Sequence, residues 1–128
     1  MKKILIVDDD LEVNEMLVQF LRGSGYDAQG VSDGRLVSAA LDASPFDLII
    51  TDLIMPEQEG IETIMNLRNS GSKIPIIAIS GGGRFRPEAS LHMAQMLGAN
   101  CALAKPVALS SLLESVKDCL KEQKKAPQ

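Results

Sequence analysis

The sequence predicts an α/β fold in which a central, mostly parallel sheet of five strands is covered by helices on both faces. Three observations lead to this prediction. Short runs rich in Ile, Leu and Val alternate along the chain with stretches of helical periodicity. Three of those runs, at about 3–8, 47–52 and 74–80, show no polar alternation, which is typical of strands buried on both faces. The 128 residues, of which 45% are hydrophobic and 23% charged, suit one globular domain.

The first strand and the first helix meet at an acidic turn. The apolar run that begins at Lys3 ends at Asp8. Asp10 is a suitable N-cap for the helix that follows, and the segment Gly23–Gly25 provides its stop. Between these limits, apolar residues recur at the spacing of one helix face: Val13, Leu17, Phe20 and Leu21. The segment is therefore predicted to be an amphipathic helix.

The remaining elements continue this alternation, since each helix is predicted from apolar residues at helical spacing and each strand from a β-rich run. In chain order they are a weaker strand at 27–31, a helix near 34–43, the strand at 47–52, a helix near 58–70, the strand at 74–80, a helix near 87–97, a weaker strand at 101–104 and a helix near 109–122. The chain thus contains five strands that alternate with five helices.

This alternation also predicts the topology of the sheet. Parallel neighbours need crossover connections, and these are nearly always right-handed. The topology that fits best is a flavodoxin-like (βα)5 three-layer sandwich with the strand order 2-1-3-4-5. Residues 1–123 are expected to form this domain, and residues 124–128 a short polar tail.

Charge and hydropathy argue against several classes of function. A formal charge of −4 and a pI near 4.9 argue against direct DNA binding, because phosphate backbones are held mainly by clustered Lys and Arg. No segment is long enough to span a membrane, and the apolar run that ends at Asp8 is too short for a signal peptide. Cys101 and Cys119 lack metal-site spacing, so they are expected to be buried free thiols in a reducing compartment. We therefore expect a cytoplasmic protein without membrane insertion.

Charged residues are found where the predicted strands end. Asp8 and Asp9 end the first apolar run, Asp52 ends the run at 47–52, and Lys105 follows the strand at 101–104. In an open parallel sheet, ligands bind at the carboxyl ends of the strands, where residues distant in sequence converge. We interpret this set as a site at which an aspartate accepts phosphate.

Four separated motifs strengthen this interpretation, and they lie at the ends of predicted strands 1, 3, 4 and 5. They are Ile6–Asp10, Thr51–Pro56 with Gly60, Ile79–Gly81, and Gly98–Ala99 leading to Lys105–Pro106. Together these motifs resemble the response regulator receiver domain of two-component signalling, in particular a single-domain chemotaxis-type regulator. The resemblance covers nearly the whole chain.

The resemblance implies a role for each acidic residue. Asp52 would take a phosphoryl group from a phosphohistidine and form an aspartyl phosphate. Asp9 and Asp52 would hold Mg²⁺, with Asp8 acting directly or through water, because this hard cation prefers carboxylates, water and phosphate oxygens. The backbone carbonyl of Ile54 would complete the metal site.

The same resemblance assigns the groups that would meet the phosphate. Lys105 would bind the phosphoryl oxygens, and the Ser80 hydroxyl would donate to one of them. A cis peptide at Pro106 is expected to orient Lys105. His92, the only histidine, falls in a predicted helix as an ordinary surface or half-buried residue, so the phosphodonor is expected to be a histidine kinase or a histidine phosphotransfer protein. The domain would catalyse only its own phosphorylation and slow dephosphorylation.

Three features depart from the family pattern. Ala102 and Val107 occupy positions where many receivers carry an aromatic residue, so the usual aromatic readout on the fifth strand is absent. The segment Gly81–Pro87 contains three glycines, and we expect it to be mobile.

Two hypotheses follow from these departures. In the first, closure of the segment Gly81–Pro87 over phosphorylated Asp52 replaces the aromatic switch, through contacts made by Phe85 and by Arg84 or Arg86. In the second, the apolar side chain of Ile54 slows autodephosphorylation.

Other interpretations remain open at the level of sequence. Acidic residues after a strand often cap the next helix, and Ser80-Gly81 or Lys105 could simply end their strands. The chain could also be a phosphorylation-independent interaction module or a phosphate sink. A nucleotide-binding enzyme is the weakest alternative, because neither a GxxxxGK[ST] loop nor a GxGxxG motif is present. A monomer or weak dimer that contacts an unknown downstream protein is expected.

Overall fold

The structure is a computed structural model that describes residues 1–53, 60–80, 92 and 95–124. The strands are β1 (Lys3–Val7), β2 (Asp27–Val31), β3 (Leu48–Asp52), β4 (Ile76–Ser80) and β5 (Cys101–Ala104). The helices are α1 (Leu11–Gly23), α2 (Val37–Ala43), α3 (Gly60–Asn69) and α4 (Leu109–Lys124), and a 3-10 turn (Gly34–Leu36) precedes α2. The strand boundaries agree with the predicted ones to within two residues.

All five strands belong to one parallel sheet with the order β2-β1-β3-β4-β5, which confirms the predicted topology. The register determines which strand ends are neighbours. Asp52 pairs with Ile79 across β3 and β4, and Ser80 pairs with Ala104 across β4 and β5. The carboxyl ends of these strands therefore share one edge of the sheet.

The sheet separates two apolar clusters, which explains the continuous hydrophobic runs. Ile4 and Ile6 pack with α1 and α4, whereas Leu5 and Val7 pack with α2 and α3. All four side chains are at most 1% exposed. Because successive side chains of a strand point to opposite faces, both kinds of position must be apolar when helices cover both faces.

Helix α1 begins at the predicted cap. The Asp10 carboxylate accepts hydrogen bonds from the backbone N–H groups of Glu12 and Val13, which satisfies donors that the first helical turn leaves unpaired. The buried face differs slightly from the predicted one, since Val13 and Phe20 are only partly buried. The buried residues of α1 are Asn14, Leu17, Val18 and Leu21.

The other predicted elements have different outcomes. The helix near 34–43 forms as a 3-10 turn followed by α2, because the Asp33 side chain caps the first turn. Residue 92 and residues 95–97 are helical, as predicted for 87–97, and His92 is exposed. The remaining part of that helix and the segment with Gly81–Gly83, Arg84, Phe85 and Arg86 lie outside the described residues, as does Ile54.

At the C-terminal end, α4 extends to Lys124, which is one residue into the predicted tail; residues 125–128 lie outside the described part. Neither Cys101 nor Cys119 forms a disulfide; Cys119 is buried and Cys101 is half-buried. Among the helices that the structure describes, none has the length and apolar character needed to cross a membrane.

Candidate functional site

Three carboxylates converge where β1 and β3 end. Asp8 and Asp9 directly follow β1, and Asp52 is the last residue of β3. One carboxylate oxygen from each lies within 4.8 Å of the others. Asp8 and Asp52 are 3% and 7% exposed, whereas Asp9 is exposed to solvent. The parallel pairing of β1 with β3 thus brings together acidic groups that are more than forty residues apart in the chain.

Lys105 reaches this cluster from the end of β5. Its Nζ donates a hydrogen bond to Oδ2 of Asp52 at 3.1 Å. Its backbone N–H donates to the carbonyl oxygen of Ser80 at 2.7 Å, which places the ends of β4 and β5 side by side. The Lys105–Pro106 peptide bond is cis, as the resemblance to receiver domains predicts.

The acidic groups and the ammonium group shift each other's proton affinities. Burial raises the pKa of Asp8, and the negative charges of Asp52 and Asp9 add to this, against a hydrogen bond from the backbone of Asp10. Burial alone would lower the pKa of Lys105, but the hydrogen bond to Asp52 and the surrounding carboxylate charges outweigh it, so that this pKa is raised. Lys105 is therefore held in its cationic form at neutral pH.

The donor set fits Mg²⁺. Among the residues that the structure describes, three carboxylates face one ammonium group, which leaves a formal excess of two negative charges, the charge that one divalent cation cancels. Carboxylate oxygens are ligands that this cation prefers, and it commonly binds through one or two of them plus water. Burial of the ionised Asp8 carboxylate is costly despite the nearby charge of Lys105, and a cation beside it would reduce that cost. Ile54, whose carbonyl was expected to complete the set, is outside the described residues.

Ser80 and Gly60 also lie near Asp52 in the described part of the chain. Ser80 ends β4 and is 2% exposed, one residue beyond the partner of Asp52 in the strand pairing. Gly60 begins α3, and its N–H donates to the Leu53 carbonyl at 2.9 Å. A Cβ atom at Gly60 would overlap the carbonyl oxygen of Asp52. A glycine is thus needed there, because α3 starts against the backbone of Asp52.

Two polar residues without a role predicted from the sequence, Asn14 and Arg68, connect separate elements of the structure. Asn14 lies in the buried face of α1 and donates to backbone carbonyls at the ends of β1 and β2. Arg68 lies at the end of α3 and donates to backbone carbonyls of three other residues. For Asn14 the signal was present, because Asn14, Leu17, Val18 and Leu21 have the spacing of one helix face. A polar residue in such a stripe requires a hydrogen-bonding partner.

The chain matches the family model of the response regulator receiver domain over residues 4–117. This chain belongs to that family. Receiver domains are the signalling domains of two-component response regulators and are not conventional enzymes. The predicted family is thereby confirmed, and the fold agrees with it in strand number, direction and order.

Individual relatives support the same assignment. The swarming motility regulation protein RssB of Serratia marcescens is 36% identical over 117 residues, which cover 89% of this chain and 51% of that protein. The response regulator MprA of Mycolicibacterium vanbaalenii is 32% identical over 120 residues, which cover 93% of this chain and 50% of that protein. This receiver chain therefore spans about half the length of the curated relatives it matches.

Solved structures of receiver domains superpose on nearly the whole chain. The chemotaxis protein CheY4 of Vibrio cholerae is 30% identical with a TM-score of 0.81, and the match covers 94% of this chain and 99% of CheY4. A CheY-like receiver domain protein of Methanospirillum hungatei is 28% identical with a TM-score of 0.87 and 98% coverage of both chains. The fold described here is therefore that of known response regulators.

Proposed function

We propose that this receiver domain accepts a phosphoryl group on Asp52 from a phosphohistidine, in a Mg²⁺-dependent reaction, and signals through altered protein contacts. The observation that carries the proposal is the buried Asp52 carboxylate, which has the Lys105 ammonium group at 3.1 Å and two further carboxylates beside it. A structural ion pair needs only one carboxylate, so the two additional acids require another explanation. The donor would be a histidine kinase or a histidine phosphotransfer protein, the partners that the family implies.

In the transfer step, a carboxylate oxygen of Asp52 attacks the phosphorus atom. A P–O bond forms as the P–N bond to the donor imidazole breaks, and the electron pair of that bond returns to the imidazole nitrogen. Lys105 lies beside the attacking carboxylate, and its ammonium group binds the phosphoryl oxygens once the group has been transferred. The Ser80 hydroxyl, at the end of the neighbouring strand β4, donates to another phosphoryl oxygen.

The Mg²⁺ ion would be held by Asp8, Asp9 and Asp52, with the Ile54 carbonyl as a further ligand. When bound, the ion neutralises charge on the carboxylates and the incoming phosphoryl group, so that two anions can approach each other. Asp8 and Asp52 are buried at the ends of β1 and β3. Asp9 is exposed, so the site is open to solvent on the side of Asp9. Donor access is expected from this open side.

Signal output is proposed to occur through a contact with a downstream protein. Phosphorylation adds about −1.5 to −2 charges at one strand end, which can bias a surface that already has two conformations. Ala102 on β5 is half-buried and has only a methyl group where many receivers carry a ring. This observation favours a second candidate function, a phosphate sink in which phosphorylation proceeds without transmission to β5.

The chemistry is tested by incubation with acetyl phosphate or phosphoramidate and Mg²⁺, followed by intact mass spectrometry. Wild type is expected to gain one phosphoryl group, and Asp52→Ala none. Asp42→Asn is the matched control, because Asp42 is an exposed aspartate in α2 away from the acidic cluster, and it should gain the group as wild type does. An adduct on Asp52→Ala, or none on wild type at high donor concentration, would overturn the proposal and favour the interaction module.

The same samples distinguish a signalling domain from a sink. Amide NMR shifts that extend from the site to residues 95–107 on phosphorylation are expected for a switch. Shifts confined to the neighbourhood of Asp52 would support the sink.

A further inference from the structure

We infer that Asn14 is a positioning residue for the metal-binding carboxylates, and that Gly30 provides the space its side chain needs. The inference rests on the proposed Mg²⁺ site. Asn14 touches none of the reacting groups directly. It acts by fixing the backbone of the turn that contains Asp8 and Asp9.

The side-chain amide of Asn14 joins two strands where they leave the sheet. Its Nδ2 donates to the carbonyl oxygen of Asp8 at 3.0 Å and to that of Val31 at 2.9 Å. The backbone N–H of Asp8 donates to the same Val31 carbonyl at 3.2 Å. Asn14 is 8% exposed, so these bonds are formed largely out of water, where losing a hydrogen bond to a carbonyl group is costly.

Asn14 also holds the far end of the acidic turn. Its backbone N–H donates to the Asp10 carbonyl at 2.9 Å, while the Asp10 N–H donates to Oδ1 of Asp8 at 2.9 Å. The turn from Asp8 to Asp10 is thus fixed to one residue at both ends, with Asp9 between them. The direction of the Asp8 carboxylate depends on the same turn.

Gly30 explains how the amide can reach this position. A Cβ atom at Gly30 would overlap Oδ1 of Asn14. Glycine weakens a strand, and within a strand it often marks a place where another group approaches closely. In β2 that group is the Asn14 side chain.

A simpler explanation is that Asn14 only fastens α1 to β2, and Arg22 allows the two to be separated. Arg22 lies in the same helix and donates through Nε and Nη2 to the Ala28 carbonyl of the same strand, at 3.1 and 2.8 Å. Both residues connect α1 to β2. Only Asn14 contacts the turn that carries the carboxylates.

The test is Mg²⁺ affinity, measured by calorimetric titration of wild type, Asn14→Ala and Arg22→Ala, with urea unfolding of the same proteins. Loss of a residue that orients metal ligands typically weakens metal binding about 10- to 100-fold, and we expect Asn14→Ala to weaken Mg²⁺ binding at least about 10-fold. Arg22→Ala should destabilise the fold and leave Mg²⁺ affinity within about twofold. If Asn14→Ala loses stability with unchanged Mg²⁺ affinity, the positioning role is wrong.

A second variant keeps the test valid if Asn14→Ala does not fold. Gly30→Ala displaces the amide by steric overlap and leaves Asn14 in the chain, so it should weaken Mg²⁺ binding in the same way. In the double variant that combines Asn14→Ala with Gly30→Ala, the added methyl group no longer meets an amide. Its Mg²⁺ affinity should therefore equal that of Asn14→Ala alone. Additive losses in the double variant would overturn the pairing of Asn14 with Gly30.

The outcome for wild type separates this inference from the proposed function. A wild-type chain that binds no Mg²⁺ would overturn both. Wild-type binding with equal affinity in Asn14→Ala would overturn only the positioning role.

Discussion

At the scale of single residues, the buried Asp8 carboxylate lowers the free energy of unfolding of the metal-free protein. Its carboxylate is buried beside two others, and burial raises its pKa above the ordinary value of 3.8. The folded state therefore binds the Asp8 proton more tightly than the unfolded chain does. Ionisation of Asp8 lowers the free energy of unfolding progressively as the pH rises from 3.8 through the raised pKa of the folded state.

Asp8→Asn should consequently stabilise the metal-free protein. We expect a higher urea midpoint than wild type at pH 7 in EDTA, and a difference that shrinks as the pH falls toward 3.8. The variant should also lose most of the stabilisation that Mg²⁺ gives wild type. Asp27→Asn is the control, because Asp27 is exposed on β2 and its charge should matter little. An Asp8→Asn protein less stable than wild type at pH 7 would contradict this account.

Gly60 is a second residue whose identity is set by the site. Gly60→Ala adds a methyl group where the Asp52 carbonyl oxygen lies, so α3 or the end of β3 must move. We expect a loss of about 1 to 3 kcal/mol in unfolding free energy and slower phosphorylation by acetyl phosphate. Gly23→Ala is the matched control, since a Cβ atom there meets nothing within 4 Å and alanine favours a helix. Equal effects of both substitutions would argue against the steric explanation.

At the scale of elements, Arg68 ties the end of α3 to the segments that precede β4 and β5. Its guanidinium donates to the carbonyls of Ser72 and Ile74 on one side. On the other side it donates to the Gly98 carbonyl at 2.7 Å and to Oδ1 of Asn100, which in turn accepts from the Ile76 N–H. Burial lowers the pKa of Arg68, but an arginine remains charged at neutral pH. One side chain thus joins the end of α3 to the two segments that lead into β4 and β5.

Arg68→Met should therefore cost far more than the loss of a surface cation. Several charge-assisted hydrogen bonds to partly buried carbonyls are lost, and we expect about 2 to 4 kcal/mol less stability in urea unfolding. Arg35→Met is the comparison, because Arg35 is exposed and forms a surface ion pair with Asp33, two residues away in the chain. A surface ion pair of this kind contributes about 0 to 1 kcal/mol. A loss below 1 kcal/mol for Arg68→Met would show that water replaces the guanidinium adequately.

At the scale of the whole molecule, metal binding should be visible as stability. A ligand that binds only the folded state at 100 times its Kd adds about 2.7 kcal/mol. We expect Mg²⁺ to raise the Tm of the wild-type chain and EDTA to reverse the effect, while NaCl at equal ionic strength gives a smaller change. Asp52→Asn should show a reduced Mg²⁺ response. A Tm that follows ionic strength alone would mean that the cluster binds no specific cation.

Much of the candidate site was predictable because its residues stand next to strong local signals. Asp8, Asp9 and Asp52 directly follow or end continuous apolar runs, and parallel strands place such ends on one edge of the sheet. The Asp10 cap was likewise predicted from local residue type, whereas the cis bond before Pro106 was expected from the resemblance to receiver domains. The 3-10 turn before α2 was not, because a short capped turn has no periodicity of its own.

The sequence by itself determined the alternation of strands and helices, the burial of both sheet faces and the edge that carries the acids. These features depend on periodicity and residue type within short windows, which the chain order displays directly. Only the tertiary structure decided that Asn14 fills the space over Gly30, that Arg68 reaches Asn100, and that Lys105 pairs with Asp52. Such pairings join residues from separate elements. They depend on strand register and helix rotation, which are set when the whole core packs.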